Sequence, residues 1–220
     1  LACAPPLSPG TILSRRYEVL RVVGSGGFGI TYQCRDLSTH DFVAIKELCP
    51  PDAARDGLAI RPSNTDFFNE AKAQCRELAR VLSHLRHAGI VRVLGSFEEN
   101  DTLYLVMNYL NGDTLQHLIE REGAQNPTRV LDWTKQLSAA LEAVHGLGLL
   151  HLDIKPDNVF LLHNSDRVVL MDFDLAQKIH APRDYRTRPL SLTAQCGTPG
   201  YAAPEQYSGQ GRYSPATDLY

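Results

Sequence analysis

A run of glycines between two strand-forming stretches most constrains how this chain can fold. β-branched and aromatic residues at positions 17–23 and 30–34 flank the run, and such residues favour strands. The run consists of Gly24, Ser25, Gly26, Gly27, Phe28 and Gly29. In a dinucleotide-binding fold, such a run leads from a strand into a helix. The sequence here predicts instead a β-hairpin, whose bare backbone can lie close to phosphate groups.

Strand-forming segments dominate the first half of the chain, and helical spacing dominates the second. Strands are predicted at residues 42–46, 91–97 and 102–107, with one long helix at about residues 65–85. After Gly112 the spacing becomes helical, which suggests two lobes joined near residues 108–112. We expect a linker or disordered lead-in at residues 1–14 and a β-rich N-terminal lobe at residues 15–107. A hinge at residues 108–113 and a helical C-terminal lobe at residues 114–220 are expected to follow.

Charge, hydropathy and cysteine spacing narrow the functional classes. The formal net charge is −3, whereas a nucleic-acid-binding protein is expected to carry a basic footprint. No apolar run approaches the length of a membrane span. The dispersed cysteines favour reduced thiols in a cytosolic protein; they are Cys3, Cys34, Cys49, Cys75 and Cys196. We therefore expect a cytoplasmic protein with no nucleic-acid partner and no membrane segment in this chain.

The eight residues from His151 to Asn158 carry side chains suited to one type of reaction. Phosphoryl transfer requires a carboxylate that orients the attacking hydroxyl, cations near the phosphates and oxygen ligands for magnesium. Asp153, Lys155 and Asn158 supply these groups on one short loop. A polar loop after a helix can carry the same residue types without this role, so other motifs must decide between the two interpretations.

Further motifs follow in an order that supports phosphoryl transfer. In Val43-Ala44-Ile45-Lys46, alternation puts Ala44 and Lys46 on the same face of a strand. Residues 171–174 add a carboxylate, which is a ligand type that Mg²⁺ prefers, and residues 197–205 contain an Ala-Pro-Glu signature. Together these motifs resemble those of the eukaryotic-type (Hanks-type) serine/threonine protein kinase domain. The residues within the motifs are most similar to those of bacterial members.

The resemblance implies an α+β, two-lobed protein-kinase-like fold, truncated at its C-terminus, with a small antiparallel sheet and one long helix above a mainly helical lobe. It implies an ATP- and Mg²⁺-dependent kinase acting on serine or threonine hydroxyls of protein substrates. The implied catalytic residues are Asp153, Lys155, Lys46 and Glu77, and the implied metal ligands are Asn158 and Asp172. The implied nucleotide-binding residues are Val23, Gly24, Ser25, Gly26, Gly27, Phe28, Gly29, Thr31, Ala44, Lys46, Met107, Asn108, Leu110, Asp113 and Phe160.

The glutamate that pairs with Lys46 has two candidates in the predicted long helix. Glu70 lies in a sequence that resembles the usual start of this helix in the family. Glu77 has the family's usual spacing to the next strand and stands beside the apolar residues Leu78 and Val81. The two glutamates are separated by two helical turns, or roughly 10 Å, so only one can pair with Lys46. We favour Glu77.

Two positions depart from the family's pattern. Leu152 replaces the arginine that usually precedes the catalytic aspartate, and Asp174 replaces the glycine that usually follows Phe173. These departures motivate an alternative, a pseudokinase that serves as a nucleotide-binding or scaffold module. A small-molecule phosphotransferase of related fold is a third class, but Thr198 and the Ala-Pro-Glu signature speak against it because they form a platform for a peptide.

Overall fold

The computed structural model describes residues 4–27, 29–163, 165–179, 198–207 and 213–220. The chain divides into two compact units. The first comprises Leu1–Leu85 and Arg92–Tyr109, and the second comprises Arg86–Val91 and Leu110–Tyr220.

A six-stranded antiparallel sheet forms most of the first unit, in the order β1-β2-β3-β4-β8-β7. Its strands are β1 (Ile12–Leu13), β2 (Tyr17–Gly26), β3 (Gly29–Asp36), β4 (Phe42–Leu48), β7 (Val93–Glu99) and β8 (Thr102–Asn108). A separate hairpin consists of β5 (Ala54–Asp56) and β6 (Ala59–Arg61). The glycine run connects β2 to β3 as a hairpin, as the sequence predicts, and Gly26 pairs with Gly29 at its end.

Alternation along β4 separates an apolar face from a polar one. Val43, Ile45 and Glu47 are buried, whereas Ala44 and Lys46 point to the other face and are partly exposed. The buried face contributes to a core that also contains Tyr32, Tyr104 and Val106. The position of Lys46 therefore follows from burial of the residues on either side of it.

One long helix, α1 (Thr65–Leu82), accompanies the sheet of the first unit. The side chain of Asn64 caps its N-terminus by accepting a hydrogen bond from the backbone N–H of Phe67 at 3.0 Å. Phe68, Ala71, Ala79 and Leu82 form its buried face. The helix packs against β7 and β8.

The residues before β2 differ from the linker or disordered lead-in that the sequence suggested. Ala4, Leu7 and Leu13 are buried, and β1 pairs with β2. The backbone N–H of Leu7 donates to the hydroxyl of Tyr32 at 3.0 Å. The prolines of this segment and its lack of periodicity favoured a disordered lead-in. The segment is instead held by packing against distant residues, which a local sequence pattern does not show.

The expectation of reduced thiols is wrong at Cys49, which is disulfide-bonded. Cys49 lies in a buried cluster with Ala4, Ile60 and Phe68, so residues far apart in sequence meet around it. Sequence spacing alone gave no sign of this meeting. Among the described residues, Cys34 and Cys75 are not disulfide-bonded, and burial raises the pKa of the Cys34 thiol to about 12. Two further cysteines, at positions 3 and 196, lie outside the described residues.

The second unit combines helices with short strands. Its helices are α2 (Leu115–Glu122), α3 (Pro127–Gly146) and α4 (Pro204–Tyr207). Its strands are β9 (Gly112–Thr114), β10 (Leu149–Leu150), β11 (Val159–Leu162), β12 (Val168–Leu170) and β13 (Gln177–Lys178), and 3₁₀ turns lie at Pro156–Asn158 and Pro215–Leu219. α3 packs against β10 and β12 through buried residues that include Trp133 and Val144. Among the described helices, none is both long enough and apolar enough to cross a membrane.

Candidate active site

Three polar side chains surround Asp153, which lies in the loop between β10 and β11. Lys155 Nζ lies 2.9 Å from Asp153 Oδ2, and Asn158 Nδ2 donates to the same oxygen at 2.8 Å. The hydroxyl of Thr198 donates to Asp153 Oδ1 at 2.7 Å and accepts from Lys155 Nζ at 2.7 Å. The carboxylate is thus fixed in orientation and remains next to a cation.

Asp218 binds the backbone of this loop. Its carboxylate accepts hydrogen bonds from the backbone N–H groups of His151 at 2.9 Å and Leu152 at 2.7 Å. His145 Nε2 lies 2.8 Å from the same carboxylate, whose side chain is fully buried. Leu152 has a φ of 64°, a conformation that costs a non-glycine residue about 1–3 kcal/mol. The hydrogen bonds to Asp218 stabilise the loop in this strained geometry.

The side chain of Leu152 is buried, and the backbone of this residue makes the polar contacts. Leu152 is 2% exposed, and its carbonyl accepts a hydrogen bond from Gln206 Nε2 at 2.9 Å. Gln206 in turn accepts from the backbone N–H of Ala203. The replacement of arginine by leucine therefore leaves the loop anchored at both backbone groups.

His151 joins the loop to the end of β12 through a neutral ring. Its Nε2 lies 3.1 Å from the carbonyl oxygen of Met171, and its Nδ1 accepts from the backbone N–H of Asp153 at 3.3 Å. A carbonyl can only accept, so Nε2 carries the proton. Burial lowers the pKa of His151, which favours this neutral form.

Asn158 and Asp172 lie at the ends of adjacent strands. Val159 pairs with Leu170, and the backbone N–H of Met171 donates to the carbonyl of Asn158 at 2.9 Å. The amide nitrogen of Asn158 donates to both the carbonyl and the carboxylate of Asp153, which assigns Oδ1 as its remaining acceptor. Mg²⁺ is commonly bound by one or two protein oxygens together with substrate phosphates and water. The donor set of Asn158 and Asp172 fits such an ion.

In the first unit, four of the residues predicted to contact the nucleotide occupy one face of the sheet. Thr31 pairs with Gly24 on one side and with Lys46 on the other. Ala44 pairs with Met107. Residues directly opposite each other in adjacent strands share a face. Thr31, Ala44, Lys46 and Met107 therefore point to the same side, opposite the buried core.

The other predicted nucleotide-binding residues are placed as follows. Val23 lies in an irregularity of β2 between Val22 and Gly24, and Ser25 pairs with Ile30. Asn108 ends β8, Leu110 begins the longer segment of the second unit, and Phe160 of β11 pairs with Thr114 of β9. Gly26 ends β2 and Gly27 follows it in the turn, whereas Phe28 lies outside the described residues. Contact of these residues with a nucleotide stays a prediction.

Asp113, predicted to meet the ribose, is paired within its own unit. Its carboxylate accepts from Arg121 Nη1 at 2.9 Å, and His163 Nε2 lies 3.7 Å away. The hydrogen bond from Arg121 lowers the pKa of Asp113, so this group is an anion at neutral pH. A ribose hydroxyl can donate to it without displacing Arg121, because a carboxylate accepts several hydrogen bonds.

The two candidate partners of Lys46 both lie on α1. Arg80 donates to both carboxylate oxygens of Glu77, at 2.8 and 2.9 Å, and Glu70 is exposed near the start of the helix. Neither the ion pair of Glu77 nor the exposure of Glu70 decides which glutamate pairs with Lys46. The assignment to Glu77 stays a prediction.

If Glu77 is the partner, we expect Glu77→Gln to lower kcat/KM for ATP by about tenfold or more, or ~1.4 kcal/mol of barrier. Glu70→Gln serves as the matched control, with an expected change of less than about twofold. Steady-state kinetics of both variants measure the difference. A larger loss in the Glu70 variant would transfer the role to that residue.

Two side chains of the site were not singled out as site residues by the sequence. Thr198 bridges Asp153 and Lys155, although the sequence indicated it only as part of a platform for a peptide. Gln206 binds the backbone of Leu152. Its position directly after the Ala-Pro-Glu signature was the only available signal. The sequence could not show these contacts because each joins residues more than 40 positions apart.

Comparison with known proteins shows the family and the fold of the chain. A family model described as the protein kinase domain matches residues 17–220. The serine/threonine-protein kinase pkn2 of Myxococcus xanthus is 33% identical over 211 residues, which cover 95% of this chain and 23% of the relative. The serine/threonine-protein kinase PknA of Mycobacterium tuberculosis (strain ATCC 25618 / H37Rv) is 32% identical over 216 residues, which cover 96% of this chain and 46% of the relative. A solved structure titled "PpkA-294 apo form" has a TM-score of 0.79 and 28% identity, covering 98% of this chain and 75% of the other.

The fold is that of protein kinases, which confirms the predicted fold class. The chain belongs to the protein kinase domain family, and bacterial serine/threonine kinases are among its relatives. It spans between about a quarter and a half of the length of these two curated relatives.

Proposed function

We propose that this chain is an ATP- and Mg²⁺-dependent serine/threonine protein kinase domain. The observation that carries the proposal is the cluster around Asp153, which Lys155, Asn158 and Thr198 each contact at 2.7–2.9 Å. The substrates we propose are proteins with serine or threonine acceptors. The names of the curated relatives support this class of substrate.

In this proposal Asp153 orients the substrate hydroxyl and accepts its proton. Its Oδ1 and Oδ2 are held by Thr198 and by Lys155 and Asn158, so the carboxylate need not reorganise when the hydroxyl arrives. Lys155 places a positive charge beside this oxygen, where charge develops on the transferred phosphoryl group. Thr198 can yield its hydrogen bond to an incoming hydroxyl of the same chemical type.

Lys46 and the glycine hairpin are assigned to the triphosphate of ATP. Lys46 stands on the same face as Thr31, which pairs with Gly24, so the lysine and the hairpin backbone are adjacent. Asn158 and Asp172 would hold a divalent cation, which neutralises phosphate charge when it is bound. The backbone groups of Asn108 and Leu110 are assigned to the adenine, and Asp113 to the ribose.

The pseudokinase alternative receives less support. Leu152 keeps both of its backbone hydrogen bonds, and each residue with a direct chemical role is present in the sequence. Asp174 adds a negative charge next to Phe173 without replacing the proposed metal ligand. A cytoplasmic location stays a prediction, and the disulfide at Cys49 weakens the argument from reduced thiols.

Transfer of labelled γ-phosphate from ATP to a generic protein substrate tests the proposal. We expect incorporation into serine and threonine, loss of incorporation when EDTA removes Mg²⁺, and loss in Asp172→Asn. Nucleotide binding without transfer would favour the pseudokinase. Transfer to small molecules alone would favour the third class.

A further inference from the structure

A buried ion pair lies on the face of the sheet opposite to Lys46. Glu47 follows Lys46 in β4, so the two side chains point to opposite faces. The Glu47 side chain is fully buried, and that of Arg55 is 6% exposed. Arg55 donates to both carboxylate oxygens, from Nη1 to Oε1 at 3.0 Å and from Nη2 to Oε2 at 2.6 Å. The chemistry proposed above does not use this pair.

Two tyrosines and the N-terminal segment complete the surroundings of Glu47. The hydroxyls of Tyr32 and Tyr104 donate to its carboxylate at 2.8 and 2.9 Å. Burial raises the pKa of both tyrosines, so they remain donors. Tyr32 accepts from the backbone N–H of Leu7, and Arg55 donates to the carbonyl of Pro5 at 2.5 Å. Three separate parts of the chain thus converge on one carboxylate.

The backbone of Glu47 also contacts the glycine hairpin. Gly29 lies so close to it that a Cβ there would stand 2.0 Å from the Glu47 carbonyl oxygen. Ile30 pairs with Glu47, and Thr31 pairs with Lys46. Both proposed phosphate-binding elements, the glycine hairpin and Lys46, are therefore built directly on this residue.

Stability alone does not account for a charged pair at this place. Taking two charges out of water is costly, and buried ion pairs can often be replaced by apolar residues with little loss of stability. What such a pair supplies here is a fixed geometry, because four donors determine the position of one carboxylate. The family match begins at residue 17, so the contacts from Pro5 and Leu7 come from outside the matched region.

We propose that Glu47 and Arg55 are positioning residues for nucleotide phosphates. Arg55, on the β5–β6 hairpin, fixes Glu47, and Glu47 fixes the strand that carries Lys46 and supports Gly29. The inference rests on the proposed function, because it assigns ATP phosphates to Lys46 and the glycine hairpin.

The test compares Arg55→Met with the double variant Glu47→Gln/Arg55→Met and with Arg61→Met as the matched control. Arg61 belongs to the same hairpin, but its side chain is 53% exposed and its ion pairs are on the surface. The measurements are the melting temperature, the affinity for a non-hydrolysable ATP analogue, and kcat and KM for ATP. The affinity titration does not require phosphoryl transfer.

We expect Arg55→Met to lower the melting temperature by about 10 °C, since it leaves a buried carboxylate without its cation. The double variant should recover most of this loss, because no buried charge remains. It should nevertheless bind the analogue about tenfold more weakly and show a higher KM for ATP, whereas Arg61→Met should match the wild type in all measurements.

A double variant that is stable and binds the analogue as the wild type does would overturn the positioning role. If the wild type binds the analogue but transfers no phosphate, the kinase proposal fails, and the affinities of the variants still decide the role of the ion pair. A wild type that binds no nucleotide would overturn both proposals.

Discussion

Replacement of Asp153 by asparagine is expected to lower kcat for phosphoryl transfer by about 10²–10⁴-fold, the range that general base catalysis contributes. An asparagine side chain has the same size and can still contact Thr198 and Lys155, but it cannot accept the proton of the substrate hydroxyl. Affinity for ATP and the melting temperature should change little. The measurement is steady-state kinetics with a saturating protein substrate.

Asp157→Asn is the control for this prediction. Asp157 lies in the same loop and is exposed, so the variant removes the same charge from nearly the same place. We expect it to retain activity within about twofold. Equal losses in the two variants would show that Asp153 contributes only through the overall charge of the loop.

The largest effect on stability is expected from Asp218→Asn. We expect the free energy of unfolding to fall by about 3 kcal/mol, since the buried backbone N–H groups of His151 and Leu152 each need an acceptor oxygen of this side chain. An amide offers one oxygen and one donor nitrogen, so one of these N–H groups loses its partner. Urea denaturation measures the change, and kcat should fall with it because Leu152 is no longer held in its strained conformation.

An exposed aspartate on α3 provides the comparison. Asp132 is exposed and accepts a hydrogen bond from Gln136, and Asp132→Asn should change the free energy of unfolding by less than about 0.5 kcal/mol. If Asp218→Asn were equally mild, the hydrogen bonds to the loop would not be what maintains its geometry.

Features set by neighbouring residues could be predicted from the sequence. The β2–β3 hairpin follows from glycines between β-branched stretches, and the faces of β4 follow from alternation. The loop of Asp153 was recognisable because its functional groups are adjacent in the chain. Local preferences and local motifs point to the same structure at these positions.

Features that depend on distant residues could not be predicted. His151 and Asp218 are 67 positions apart, and Tyr104 and Glu47 are 57 apart. A single sequence carries no pattern that relates such positions, because their contacts arise from packing of whole elements. Glu47 did offer one unused signal. Alternation with Val43 and Ile45 placed a charged residue on the buried face, where a charge requires a partner.

Because the ring of His151 is neutral in the folded chain, binding of a proton to this histidine favours unfolding. The unfolded chain binds a proton on this histidine near pH 6.5, whereas burial lowers the pKa in the folded chain. The neutral ring of His151 therefore contributes to the free energy of unfolding above about pH 6.5. This contribution is lost as the pH falls below that value, because only the unfolded ensemble gains the proton. The ring that holds the loop of Asp153 to Met171 at neutral pH thus makes the folded chain sensitive to acid, because protons stabilise the unfolded ensemble by mass action.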